Sequence, residues 1–232
     1  MAMALNSAQS LRTVIDRSSL PFPAVRTFIL ASASPARRKL LAQAGITAQT
    51  IVSGVDESVV QAGDAGSLAG ILAGLKARAV LAGLSAGGDT RAVDGVDALV
   101  LGCDSVLGFA GEILGKPESP DDATARWKAM RGRSAVLYTA HCLIDGATGE
   151  AVEETVATTI HFAEPSDAEI AAYVATGEPL DVAGSFTIDG LGGAFVTRLE
   201  GDHTNVIGLS IPTLRLMLAR LNVPLVSLWS TP

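Results

Sequence analysis

Apolar positions along this chain switch between two spacings, and the switches mark out its elements. Residues 25–31 (VRTFILA) form an apolar run of the β type, halted by Ser32-Ala33-Ser34-Pro35. Helical spacing follows, with Leu40, Leu41 and Ala44 on one side. Ser34 can cap that helix, Pro35 fits its first position and Gly45 the site just past its end. A polar connection carries Asp56 and Glu57, and residues 68–81 read as an Ala/Leu helix containing Lys76. Residues 85–97, rich in Gly and Asp, predict an exposed loop. Residues 98–106 (ALVLGCDSV) are an apolar strand with a carboxylate, Asp104, at or near its end. Phe109-Ala110-Gly111-Glu112 turns the chain into Ile113-Leu114 as a hairpin. Ser119-Pro120-Asp121-Asp122 opens a helix that runs to about Met130. Residues 134–144 and 150–162 predict strands, and residues 165–175 a helix closed by Gly177. Residues 178–193 form a Gly-rich loop, and residues 208–221 a last helix with Pro212 near its start. Strands and helices mix without strict alternation, which gives an α/β or α+β class around a mixed sheet.

Composition narrows the picture. The chain has 232 residues, 48% hydrophobic and 18% charged, too apolar and too weakly charged for disorder. That length buries roughly 72% of the extended-chain surface, in one large domain or two small lobes. Residues 1–26 are read as a flexible N-terminal extension, or as the result of a start codon assigned too early, and residues 27–232 as a single domain. Arg12, Asp16 and Arg17 interrupt the extension, which speaks against a secretory signal. A mean hydropathy of +0.38 raises the question of a membrane. No apolar stretch reaches about 18 residues without a charge or turn residue, so a soluble, cytoplasmic protein is expected. Two cysteines, Cys103 and Cys142, build no disulfide framework, which suits a reducing compartment. A net charge of −7 argues against a nucleic-acid binder. It also makes binding of any small polyanion depend on cations gathered locally.

Ser32 to Lys39 supply such a gathering. A strand end meeting a helix start exposes backbone N–H groups, Ser32 and Ser34 add hydroxyls, and Arg37 or Arg38 can clamp phosphate oxygens. The same residues also describe an ordinary capped helix with a solvated basic first turn. Arginine there opposes the helix dipole, so something must compensate for it. Asp104 can deprotonate a water or help hold a divalent metal, or it can simply start a turn. Glu57, Lys76 and Lys116 taken singly read as solvated charges. His141, His161 and His203 lack metal-ligand spacing, and with two lone cysteines they make no zinc site. No P-loop or HExxH motif is present, and the GxSxG string at 83–87 follows a predicted helix rather than a strand, so it makes no nucleophile elbow.

In order along the chain come LASASPARRKLL at 30–41, VDE at 55–57, LKA at 75–77 and LGCDSV at 101–106. GKP at 115–117, YTAH at 138–141, GEPLDVAGSFTIDGLGG at 177–193 and NVIGLSIP at 205–212 follow. Together these segments resemble the Maf family of nucleoside triphosphate pyrophosphatases. The resemblance implies an ITPase-like fold, a twisted mixed β-sheet flanked by helices with a central cleft between two lobes. It implies hydrolysis of a nucleoside triphosphate to the monophosphate and diphosphate, with Mg²⁺ or Mn²⁺, by a homodimer. Asp104 matches the family's catalytic aspartate. Ser32, Arg37, Lys76 and Lys116 match the polar and basic residues around its triphosphate and Glu57 an acidic site residue; Arg38 is a further substrate-binding candidate, and Glu57 and Asp104 are the metal candidates. Ala36 stands where one branch has Arg and another Trp, Ser105 where Thr is common, and Asp189 where Gln or Glu is usual. Base choice is therefore expected at Ala36, Ser105 and Asp189. The alternative that the family association carries is a non-catalytic nucleotide-binding regulator of septum formation.

Overall fold

The computed structural model describes residues 26–85 and 97–229. The expected extension over residues 1–25 and all but the two end positions of the expected loop at 85–97 lie outside the described residues. Arg26, at the end of that expected extension, is bound to Asp145 at 2.6 Å and to Asp97 at 2.7 Å.

β1 (Thr27–Leu30) leads to α1 (Pro35–Gln43), where Ser34 Oγ accepts from the Arg37 amide and Pro35 occupies the first turn. Gly45, at φ +81°, reverses the chain toward β2 (Ala48–Thr50). α2 (Ala65–Ser85) and β3 (Ala98–Phe109) follow, and Ala110-Gly111 turns β3 into β4 (Glu112–Leu114). Ser119 caps α3 (Pro120–Met130). β5 (Ser134–Asp145) and β6 (Ala151–Phe162) precede α4 (Asp167–Ala175), which opens on a Ser166/Glu169 capping box. β7 (Val196–Glu200), α5 (His203–Ile207) and α6 (Ile211–Arg220) complete the order.

The seven strands form one mixed sheet, β2-β1-β3-β5-β6-β7, with β4 also on β3. β1 pairs in parallel with β2 and β3, and the remaining pairs are antiparallel. This is the expected mixed α/β class. Several details differ from the sequence reading, and β2 has no counterpart in it. β3 continues to Phe109 because β5 pairs with it from Leu99 to Gly108, so Asp104 lies inside a strand rather than at its end. β7, mostly exposed and without an apolar alternation, has no counterpart in that reading; pairing with β6 recruits it. The last helix starts at Ile211, capped by Ser210, rather than at 208, and the short helix α5, which ends at Gly208 (φ +125°), has no counterpart in that reading.

One edge of β3 is interrupted. β1 pairs with it only as far as Leu30↔Leu101, and β4 takes over only from Leu107↔Leu114. Residues 102–106 have β5 on one side and, among the described residues, no strand on the other. Asp104 is in the middle of that gap. On one face of β3, Leu101 and Cys103 belong to a cluster with Leu40, Leu41 and Met217, whereas Leu107 belongs to a second one around Trp127 and Tyr173. The gap falls between the two clusters. On the opposite face, Ala69, Ala73 and Ala77 of α2 pack fully buried on the sheet. α2 is the one described helix long and apolar enough to cross a membrane, and this packing is that of a core helix.

His141 on β5 ties the sheet to α6. Its Nε2 accepts from the Ser210 amide at 2.9 Å, so Nδ1 carries the proton that faces the Glu154 carbonyl. Burial pushes its pKa down to about 4, so it is neutral in the fold. The unfolded chain takes up that proton near pH ~6.5, so this contribution is complete above that value and is lost as pH falls toward ~4. Urea unfolding is expected to show stability about 2 kcal/mol lower at pH ~5 than at pH ~7 from this group. A His141→Asn variant should lack that part of the slope, and an unchanged slope would refute the assignment.

Candidate active site

Two side-chain groups approach the gap from opposite faces of β3. On the α2 face, Lys76 Nζ lies 2.6 Å from Asp104 Oδ1 and 2.8 Å from Glu57 Oε1. Lys76 gets there because α2 lies directly on β3 at Gly102, where a side chain would overlap the Ala73 carbonyl. Glu57 comes from a single helical turn, Glu57–Val59, capped by Asp56. Burial pushes the Asp104 carboxyl up, while Lys76 and Arg37 pull it down without cancelling that effect.

On the other face, Arg37 is 9% exposed. Its Nε donates to the Gly208 carbonyl at 2.8 Å, Nη1 to Ser32 Oγ at 3.1 Å and Nη2 to Ser105 Oγ at 3.0 Å. These acceptors offset the unfavourable placement of an arginine in the first turn of α1. A guanidinium carries five N–H donors, so two remain for a ligand. Ser32 Oγ accepts from Arg37 and from the Ser34 amide at 3.2 Å, which leaves its own proton to donate.

Six of the ten sequence-predicted residues thus meet at the gap: Ser32, Arg37 and Ser105 on one side, Glu57, Lys76 and Asp104 on the other. Arg38, one residue round the helix from Arg37, is exposed, and Ala36 is half-buried in the same turn. Lys116 is exposed just past β4, the strand that bounds the gap. Asp189 is exposed in the 178–193 loop. That loop is organised by Glu178, whose carboxylate accepts from Tyr173 Oη, Thr187 Oγ1 and the amides of Leu191 and Gly192. Burial alone would raise the Glu178 carboxyl, but those bonds hold it below the usual range. Glu178, Thr139, Asn205 and the Gly208 carbonyl are parts of this arrangement that sequence reasoning misses. A threonine in a strand and an asparagine in an apolar segment carry no local mark of their partners. Burial pushes both thiols, Cys103 and Cys142, up to about 12, which favours the protonated, unreactive form.

Among the described residues, no group of three or more His, Cys, Asp or Glu converges as a metal cage. Glu57 and Asp104 nevertheless meet at one point through Lys76, two hard oxygen donors of the kind Mg²⁺ takes when phosphates and water complete its shell. The donor set fits a divalent cation that arrives with a phosphate ligand.

A mixed sheet with one edge opened around a buried carboxylate, with lysine and arginine flanking it, defines an α/β enzyme class with a cation-lined site. The chain belongs to the Maf family: the Maf-like protein family model matches residues 27–221. It is 57% identical over 202 residues to a nucleoside triphosphate pyrophosphatase of Salinispora tropica, covering 87% of each chain. It is 51% identical to one from Streptomyces coelicolor, covering 88% of this chain and 95% of the relative. For one from Synechococcus elongatus the identity is also 51%, over 88% and 97%.

Proposed function

We propose that this protein hydrolyses nucleoside triphosphates, water attacking the α-phosphorus to release the monophosphate and diphosphate. The observation that carries the reading is the buried Asp104, bonded to Lys76 and set beside Arg37 in an opened sheet edge. Asp104 takes the proton of the attacking water with the carboxylate oxygen that Lys76 leaves unbonded. Arg37, with its two uncommitted N–H groups, and Ser32, with its hydroxyl proton, bind phosphate oxygens. Charge balance says what else is needed. Glu57 and Asp104 cancel Lys76 and Arg37, so a triphosphate must bring or meet further positive charge. Lys116 and Arg38 at the rim supply part of it. Glu57 and Asp104 would hold a divalent cation, Mg²⁺ or Mn²⁺, which would supply the rest of the positive charge opposite the diphosphate.

Ala36, Ser105 and Asp189 are the positions at which the base is chosen. The protein works in the cytoplasm as a homodimer on free nucleotides and not on nucleic acid, a reading supported by the family resemblance and the net charge of −7. Incubation with dTTP, UTP, GTP, ITP and 7-methyl-GTP plus Mg²⁺ or Mn²⁺ tests the proposal. Monophosphate and diphosphate should appear in equal amounts, with kcat/KM ranking the bases. Nucleoside diphosphate with orthophosphate, or no turnover, would sink it.

A further inference from the structure

A buried polar chain continues inward from Arg37, between the two apolar clusters. Ser105 and Thr139 face each other across β3 and β5, and Thr158 lies beside them on β6, opposite Leu137. Thr139, Thr158 and Asn205 are fully inaccessible to solvent. Proton counting settles the direction of each bond. Thr139 Oγ1 donates its single proton to the Asn205 carbonyl at 2.8 Å. In the 2.9 Å contact between the two hydroxyls, Ser105 must then be the donor. Ser105 Oγ is left as an acceptor, which is how it meets Arg37 Nη2. The chain therefore runs one way, from guanidinium to Ser105, to Thr139, to a backbone carbonyl.

That carbonyl is itself fixed. The Asn205 side chain donates to Thr158 Oγ1 at 3.0 Å and to the Leu137 carbonyl at 3.4 Å, which pins α5 to the sheet. Gly208, directly after α5, holds Arg37 Nε. One short segment thus grips the guanidinium twice, directly at Nε and through two hydroxyls at Nη2.

We propose that Thr139 is a positioning residue for Arg37, acting through Ser105 with Asn205 as the fixed end of the chain. The inference rests on the reading of Arg37 as a phosphate clamp. A guanidinium recognises phosphate through the plane of its fork, so its orientation, and not only its charge, sets how well it binds. Without Thr139 to receive it, the Ser105 proton is free to rotate toward the Arg37 N–H, placing donor against donor. The clamp then loses one of the contacts that hold its plane, and a shift of about 1 Å is enough to weaken phosphate capture.

Two substitutions separate positioning from mere filling of the core. Thr139→Val keeps the β-branched shape and loses the hydroxyl; Thr139→Ser keeps the hydroxyl and loses a methyl. Thr139→Val is expected to lower kcat/KM for triphosphate hydrolysis about tenfold, and Thr139→Ser to stay within about twofold of wild type, whatever the order of their melting temperatures. In an Arg37→Lys background, which lacks the fork, Thr139→Val should cause no further loss beyond about twofold. Should Thr139→Val fail to fold, Ser105→Ala in the two backgrounds makes the same comparison. Wild-type activity in Thr139→Val, or an equal loss with and without Arg37, overturns the inference and leaves the clamp reading standing. An Arg37→Lys enzyme as active as wild type overturns both.

Discussion

Exchanging Asp104 for Asn is expected to lower kcat for diphosphate release by about 10²–10⁴-fold while the protein stays folded. The two side chains are isosteric, and the carboxamide oxygen can still accept from Lys76 Nζ, which lies 2.6 Å from Asp104 Oδ1. What the variant lacks is an oxygen basic enough to take a proton from water. The charge it removes is one that desolvation already disfavours, and Lys76 keeps Glu57 as an ion-pair partner at 2.8 Å. Thermal unfolding close to that of wild type, beside a collapsed kcat in a diphosphate-release assay, is the expected pair of readings. Turnover at the wild-type rate would remove Asp104 from the chemistry.

Gly102→Ala is the matching prediction for stability. A Cβ there would overlap the Ala73 carbonyl and come within 2.7 Å of the Ala77 amide, both of them backbone atoms of α2. Backbone cannot rotate aside, so the helix must lift from the sheet as a body. The expected cost is about 3 kcal/mol, or roughly 6–12 °C in Tm for a chain of this size. Lys76 rides on the same helix, so kcat should fall as well, even in the folded fraction. Gly83 makes the control, since a Cβ at that position of α2 meets nothing within 4 Å. Gly83→Ala should stabilise by about 0.5–1 kcal/mol, because only the helix-propensity gain remains. Melting curves of the two variants check both; equal shifts would show that α2 does not rest on β3 at Gly102.

Much of this arrangement is legible in the residues. Ser34 and Pro35 announce α1, Ser119 and Pro120 announce α3, and the apolar runs of β3 and β5 mark strands covered on both faces. Capping and burial pattern are local properties, which is why spacing reads them. β7 and α5 are not legible in the same way. β7 is a strand because β6 offers it an edge, and α5 is a five-residue helix, too short for a periodic spacing to show. Of the candidate chemistry, Arg37, Lys76 and Asp104 stand out once the family's segments are taken together. Single inspection reads Lys76 as a surface charge, and the fold buries it to 7% exposure.

The sequence by itself determines the class of elements, their order, and the residue types able to handle a polyphosphate: an aspartate in an apolar strand, basic residues at a strand-to-helix junction, and a lysine on an Ala-rich helix. Tertiary structure alone decides that β1 leaves β3 at Leu101 and that β4 rejoins it at Leu107. A strand paired along both edges and one paired along a single edge show the same periodicity, because the pleat reports which face is buried and not which edge is occupied. In that five-residue opening lie Asp104 on one face of β3 and Ser105 on the other, with Lys76 and Arg37 brought to them from different helices. Their assembly depends on contacts between residues 28 to 68 positions apart in the chain, which no local pattern encodes.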